Sequence, residues 1–349
     1  MKKNRTGMGE ALFERAEKYR SIAKYDKAVE VYDKSLSAFR KESDIPSMLN
    51  CFLALGDTLR AKGDFTKAKK FYSEGLGLSE ILDDRASEAD ALVGLGLSIR
   101  ALGNWSEAMS MVNRAGRLYK TIHDSKGEAF TLWARAGTYR IKGDVNRAVS
   151  TYHHALEKFR ALRDRSGVAY SYCGLGGSSR VACKFRESEK YYSQANRSFN
   201  RLEDIFGLAY SYCGLGNARR MDGDFSNALK YFKKAEVLYS RIDDRVSYAY
   251  TLWSTGETCI MLGKMQKAAE SFIKSDDLFK QTKDPRGRIY CMLGTGEIDY
   301  LSGKTKKAVN TFARALKSAE SYGLGLEKKY ARKLLAASRH GRGFPFNLP

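Results

Sequence analysis

From Phe206 to Met221, and again from Phe225 to Ile242, apolar residues fall three, four and seven positions apart, and Gly223-Asp224 separates the two stretches. That spacing puts the apolar positions on one face of each of two helices, A and B. A shift of 40 residues reproduces the same text, with turns at Gly63-Asp64, Gly103-Asn104, Gly143-Asp144, Gly263-Lys264 and Gly303-Lys304. A fixed period of this length marks a solenoid, in which each unit buries its apolar face only against its neighbours.

The columns of the repeat assign roles. Helix B carries a small residue at Ala28, Ala68, Ala108, Ala148, Ser188, Ala228, Ala268 and Ala308, and four residues later a ring at Tyr32, Tyr72, Tyr152, Tyr192, Phe232, Phe272 and Phe312, with Val112 in the third unit. Seven residues further on comes a second ring column that includes Phe39, Tyr119, Phe159, Phe199, Tyr239 and Phe279. One helix face holds all three columns, so they are expected to be core. Helix A has its own small column, Ala16, Gly56, Gly96, Ala136, Gly176, Gly216, Gly256 and Gly296. Glycine in a helix costs up to about 1 kcal/mol relative to alanine, so its recurrence predicts a close crossing with helix B. Asp44, Asp84, Asp124, Asp164, Asp204, Asp244 and Asp284 precede the A helices as expected N-caps.

The small residue of helix A, the Gly-Asp-aromatic turn, the following Ala and the later pair Phe232 and Ala235 together resemble the tetratricopeptide repeat. That unit usually has about 34 residues. A 40-residue unit with Leu215-Gly216-Asn217 text and an Asp-Arg joint, as at Asp164-Arg165 and Asp244-Arg245, looks like the repeats of the Leu-Gly-Asn spindle-orientation adaptors and kinesin light chains. The proline that closes helix B in the usual unit is replaced by Glu80, Lys120, Arg160, Asn200, Ser240 and Lys280, which lets helix B run on by about 1.5 turns. The expected fold is all-α, a right-handed α-α superhelix (a TPR solenoid) of eight helix pairs. The pairs cover about residues 8–42, 44–82, 84–122, 124–162, 164–202, 204–242, 244–282 and 284–322. A C-terminal capping helix over 324–338 completes a single domain, 1–338, and 339–349, with Gly341, Gly343 and Pro345, is expected to be a flexible tail.

Composition narrows the partners. A formal charge of +21 points to acidic partners, either a carboxylate-rich peptide or nucleic acid. Six cysteines without CxxC spacing fit a reducing compartment and give no disulfide or metal framework. The first twenty residues lack an apolar core and no apolar run reaches spanning length, so a cytoplasmic chain without a membrane span is expected.

In the family that this chain resembles, the exposed positions of helix A line the concave side and hold the ligand. Four residues after the small column stand Arg20, Arg60, Arg100, Arg140, Arg180 and Arg220. Arg20 and Arg60 have Glu17 and Asp57 three residues earlier, whereas Arg100, Arg140, Arg180 and Arg220 have no such partner. Beside them run Tyr170, Tyr210 and Tyr250, with Trp133 and Trp253 three residues before the small column. Guanidinium groups in a groove offer planar, bidentate binding to carboxylate or phosphate. The candidate partner-binding residues are therefore Arg100, Arg140, Arg180, Arg220, Trp133, Tyr170, Tyr210, Tyr250 and Trp253, with Asn217 placed to bond a ligand backbone.

The reading is a non-catalytic interaction scaffold that takes an extended acidic segment of a protein partner. Single-stranded nucleic acid in the same groove and self-assembly are the alternatives. No cofactor or metal is expected, because His123, His153, His154 and His340 lack partners at ligand spacing and the glycines recur rather than cluster.

Overall fold

The computed structural model describes residues 7–340 and 347. Seventeen helices make up the described chain, in the order α1 (Met8–Ser21), α2 (Tyr25–Glu42), α3 (Ile45–Lys62), α4 (Phe65–Leu82), α5 (Arg85–Ala101), α6 (Trp105–Thr121), α7 (Ser125–Lys142), α8 (Val145–Ala161), α9 (Arg165–Val181), α10 (Phe185–Leu202), α11 (Ile205–Met221), α12 (Phe225–Arg241), α13 (Arg245–Met261), α14 (Met265–Thr282), α15 (Pro285–Leu301), α16 (Thr305–Ser321) and α17 (Gly325–His340). Odd-numbered helices up to α15 are the A helices and even-numbered ones the B helices. The eight pairs stack in sequence as an α-solenoid. All seven joint aspartates cap as expected, each carboxylate accepting from a first-turn N–H, as Asp204 does from Gly207 at 2.8 Å.

The core is the two ring columns. Tyr32, Tyr72, Tyr152, Phe232, Phe272 and Phe312 are at most 2% exposed, and the small column beside them is fully buried. Burial of such a side chain is worth on the order of 2 kcal/mol. The glycines of helix A explain how the rings fit. A methyl group on Gly176 would come within 2.8 Å of the Tyr192 ring, and Gly214 of the next A helix lies against the opposite side of that ring. Tyr72 has the same relation to Gly56 and Gly94. Tyr72, Tyr192 and Phe272 are each held between the glycine of their own pair and a second glycine two residues before the column position in the following pair. A third set, Gly127, Gly167, Gly207 and Gly287, makes room for Tyr119, Phe159, Phe199 and Phe279.

Successive A helices touch one another, as α3 does α5, α9 does α11 and α13 does α15, while B helices contact chiefly the A helices that flank them. The A helices therefore form the inner wall of a superhelix. Its turn is tight enough to close. A methyl group on Gly63 would meet Val246 at 2.7 Å, one on Gly103 would meet Tyr322 at 2.9 Å and Pro285 at 3.3 Å, and one on Gly325 would meet Lys142 O at 2.6 Å. Gly63 to Val246 is 183 residues and Gly103 to Pro285 is 182, so about four and a half repeats complete a turn before the chain stacks on itself. Trp105 Nε1 seals this seam by donating to Gly323 O at 2.8 Å, with the Lys142 ammonium 5.0 Å from the Trp105 ring centroid.

The capping helix is α17, Gly325–His340 rather than 324–338. It does more than give the last pair a polar end, because it also packs against α7 across the seam. Of the tail expected at 339–349, residues 339 and 340 belong to α17, and 341–346 and 348–349 lie outside the described residues. Asn347 is held by hydrogen bonds and is not free at that point.

Candidate functional site

The arginine column lies on the inner wall, and its members meet different surroundings. Arg20 pairs with Glu17 at 2.6 Å and Arg60 with Asp57 at 3.5 Å, the guanidinium of Arg60 also reaching Tyr72 Oη at 3.3 Å. Arg100 instead crosses to the next A helix, where Nη1 donates to Ala134 O at 3.2 Å. It does so in the space left by Gly137, on which a methyl group would stand 2.6 Å from that nitrogen. Arg140 lies against Gly177 in the same way. Arg140 and Arg180 are half-buried and make no hydrogen bond or ion pair among the described residues, and Arg140 Nε is buried without a partner. Burial, then the charges of Arg140 and Arg60, pull the Arg100 guanidinium down to about 10, which leaves it charged at neutral pH.

Four of the five aromatic residues placed in the groove by sequence make contacts between repeats. Tyr170 Oη donates to Asp204 at 2.8 Å and Tyr250 Oη to Asp284 at 2.9 Å, in each case the N-cap of the next A helix. Their rings stand edge-on to Phe199 and Phe279, with centroids 4.8 and 4.6 Å away. Trp133 Nε1 donates to Tyr170 O at 3.2 Å, and its ring stacks on Phe130 at 5.7 Å. Trp253 is 7% exposed and tilts against Tyr290 at 4.7 Å. The fifth, Tyr210, is stacked on Phe206 at 6.2 Å and is half-exposed, with no hydrogen bond from its hydroxyl among the described residues. Asn217 is 8% exposed, and its Nδ2 donates to Cys213 O of its own helix at 3.1 Å.

Around Arg220 the wall changes character. This side chain is fully buried, with its guanidinium 5.5 Å from the Trp253 centroid and Nη2 donating to Asn217 Oδ1 at 3.3 Å. Burial lowers it to about 10, against the opposing field of Glu257. Burial likewise raises the Glu257 carboxyl to about 7 and holds Glu297 well above the ordinary carboxylate range. Further on, Arg286 Nε donates to Glu327 at 2.6 Å. The residues that sequence reasoning missed here are Glu257, Glu297 and Asn347. Glu257 and Glu297 occupy the position after the small column, where a break from Gly137, Gly177 and Asn217 was the signal.

Among the described residues no cluster of histidine, cysteine and carboxylate could hold a metal, and no helix is long and apolar enough to cross a membrane. A surface depression of about 760 Å³ lies elsewhere, lined by Arg219, Lys230, Tyr231 and Lys234. It is shallow, and its Lys230 and Lys234 are engaged with Asn227 and with the rings of Tyr212 and Tyr231, so the arginine column is the better site on geometric grounds.

Residues 49–81 match the tetratricopeptide repeat family model. No curated protein sequence matches the chain. Solved structures of similar fold include a Rap protein complexed with competence and sporulation factor, 15% identical, covering 95% of this chain and 98% of that one with a TM-score of 0.62. A second is NprR in complex with its cognate peptide NprX, 16% identical, covering 95% and 99% with a TM-score of 0.60. The apo form of the quorum sensor NprR from B. thuringiensis is 16% identical, covering 94% and 98% with a TM-score of 0.51. In fold the chain is a tetratricopeptide-type repeat protein.

Proposed function

We propose that this chain is a non-catalytic interaction scaffold whose inner groove captures an extended acidic segment of a protein partner. The observation that carries the reading is the succession Arg100, Arg140 and Arg180 on adjacent A helices, in which the last two have no anionic or hydrogen-bonding partner among the described residues. A half-buried guanidinium has lost part of its hydration, and an incoming carboxylate offsets that loss with charge-assisted, bidentate hydrogen bonds. Adjacent helices are about 10 Å apart. A segment in the extended polyproline II conformation advances about 3.1 Å per residue and turns once in three residues, so carboxylates at every third residue would share one face and match the column. Two of the structures similar in fold are of complexes, one of them of NprR with its cognate peptide, which supports a peptide as the occupant.

A single-stranded nucleic acid would need rings free to stack on its bases. Tyr170, Tyr250, Trp133 and Trp253 are engaged between repeats, which favours the peptide.

The test is binding of a fluorescein-labelled ten-residue Asp/Glu-rich peptide to the full chain and to the Arg140→Ala/Arg180→Ala variant, followed by anisotropy. Each lost contact is worth about 1–3 kcal/mol, so the double variant should bind at least about tenfold more weakly. Its Tm should stay within about 2 °C of the parent, as expected for substitutions outside the core. Unchanged affinity, or a collapse of Tm, would sink the proposal.

A further inference from the structure

Asn347, which follows α17 in the chain, lies against the inner wall. Asn347 lies 127 residues from Arg220, yet its carboxamide meets that residue twice: Arg220 Nη1 donates to Asn347 Oδ1 at 2.6 Å, and Asn347 Nδ2 donates to Arg220 O at 3.0 Å. The guanidinium is positioned for this by Asn217 and Trp253. Asn347 has a φ of +59°, a left-handed conformation that asparagine tolerates better than most residues.

The chemistry of the pair is selective. Asparagine and glutamine alone offer a neutral donor and a neutral acceptor side by side. Arg220 sits in the last turn of α11, where backbone carbonyls carry the negative end of the helix dipole. A carboxylate would satisfy Nη1 but would be repelled by that carbonyl. A carboxamide satisfies both.

We infer that Arg220 is a recognition point for an asparagine-type carboxamide on an extended segment, and that the chain's own Asn347 is its intramolecular occupant, competing with outside ligands for this end of the groove. The competition rests on the peptide-groove reading given above. A tethered ligand acts at an effective concentration of up to about millimolar, so its release should raise the affinity for an outside peptide severalfold to more than tenfold.

The experiment uses the full chain and its Asn347→Ala variant, with a labelled peptide of the sequence of residues 340–349 as probe. The variant should capture the probe at least about tenfold more tightly than the parent, which still carries its own occupant. A probe with Asp in place of the asparagine should bind the variant at least about tenfold more weakly than the Asn probe. Equal binding of the Asn probe to both chains, no binding to the variant, or equal binding of the Asn and Asp probes would overturn the inference. The acidic peptide separates the two readings. If it binds the parent and the Asn347→Ala variant equally, the competition is refuted while the acidic groove stands. If it binds neither chain while the variant still prefers the Asn probe, the acidic reading fails and the carboxamide site remains.

Discussion

Arg100 and Gly137 occupy complementary space across a repeat boundary: the guanidinium donates to Ala134 O at 3.2 Å, and a methyl group on Gly137 would stand 2.6 Å from the same nitrogen. The atom in the way is the far end of a flexible side chain, so Gly137→Ala should move the guanidinium rather than the helix. The helix gains about 1 kcal/mol from alanine and loses a hydrogen bond worth about 1 kcal/mol. Urea denaturation should therefore show a change within about 0.5 kcal/mol, while affinity for the acidic peptide shifts. A loss of several kcal/mol would mean that Arg100 is a structural strut and not a mobile wall group.

Gly176→Ala should behave in the opposite way. Its methyl group would meet the Tyr192 ring at 2.8 Å, and that ring has Gly214 at its other side and no space to retreat into. Overpacking of this kind costs about 1–3 kcal/mol. The same denaturation experiment should place Gly176→Ala well below both the parent and Gly137→Ala.

That contrast shows what the sequence could and could not convey. The 40-residue period carried the eight pairs, the joint aspartates and the buried ring columns, because each depends on contacts within or between neighbouring repeats. It also placed Tyr170 and Asp204 in fixed columns 34 residues apart, but nothing in either column said that the hydroxyl of one reaches the carboxylate of the other. Tyr170, Tyr250 and Trp133, read from sequence as groove residues, also bond across the joints between repeats, which their columns do not announce. Closure of the superhelix was less accessible still. It depends on a small rotation per repeat, accumulated over about four and a half repeats, and Trp105 and Gly323 share no column that could announce their bond. Asn347 stands outside the repeat altogether.

Cys183 offers a stabilising test. It is exposed and holds a φ of +61° at the A–B turn, where six other pairs place glycine and the first pair places Ala23. A left-handed conformation costs a residue with a Cβ about 1–2 kcal/mol, part of which glycine returns as unfolded-state entropy. Cys183→Gly should raise stability by about 0.5–1 kcal/mol, read as a Tm higher by roughly 1–3 °C. An unchanged or lower Tm would show that the thiol makes a compensating contact.

Glu257 and Glu297 set a pH dependence. Burial raises both carboxyls, Glu257 to about 7 from the ordinary 4.5, so the folded chain holds these protons more tightly than the unfolded chain does. Their contribution is complete below about pH 4.5 and is lost as pH rises, for Glu257 through about 7. The Glu257 share is on the order of 3 kcal/mol at most, since one pKa unit is worth about 1.4 kcal/mol. Glu257→Gln should flatten the fall in stability between pH 5 and pH 8. An unaltered slope in urea denaturation at the two pH values would assign the dependence to other groups.

Trp105 tests whether the superhelix is closed by contact or by pitch. Its indole N–H reaches Gly323 O at 2.8 Å, and Gly103 in the preceding turn lies against Tyr322 and Pro285. These contacts help to join the third and fourth repeats to the end of the solenoid, together with Lys142 against Gly325 and Ile141 packed on the final core. Trp105→Phe removes only the donor and should cost about 1 kcal/mol with the radius of gyration unchanged. Trp105→Ala also removes the ring that covers the seam and supports the Lys142 ammonium. In small-angle X-ray scattering it should increase the radius of gyration, since successive repeats are linked only to their neighbours and the solenoid can open like a spring once the seam is lost. The same radius in parent and Trp105→Ala chains would show that the rotation built into each repeat, and not the seam, sets the closure.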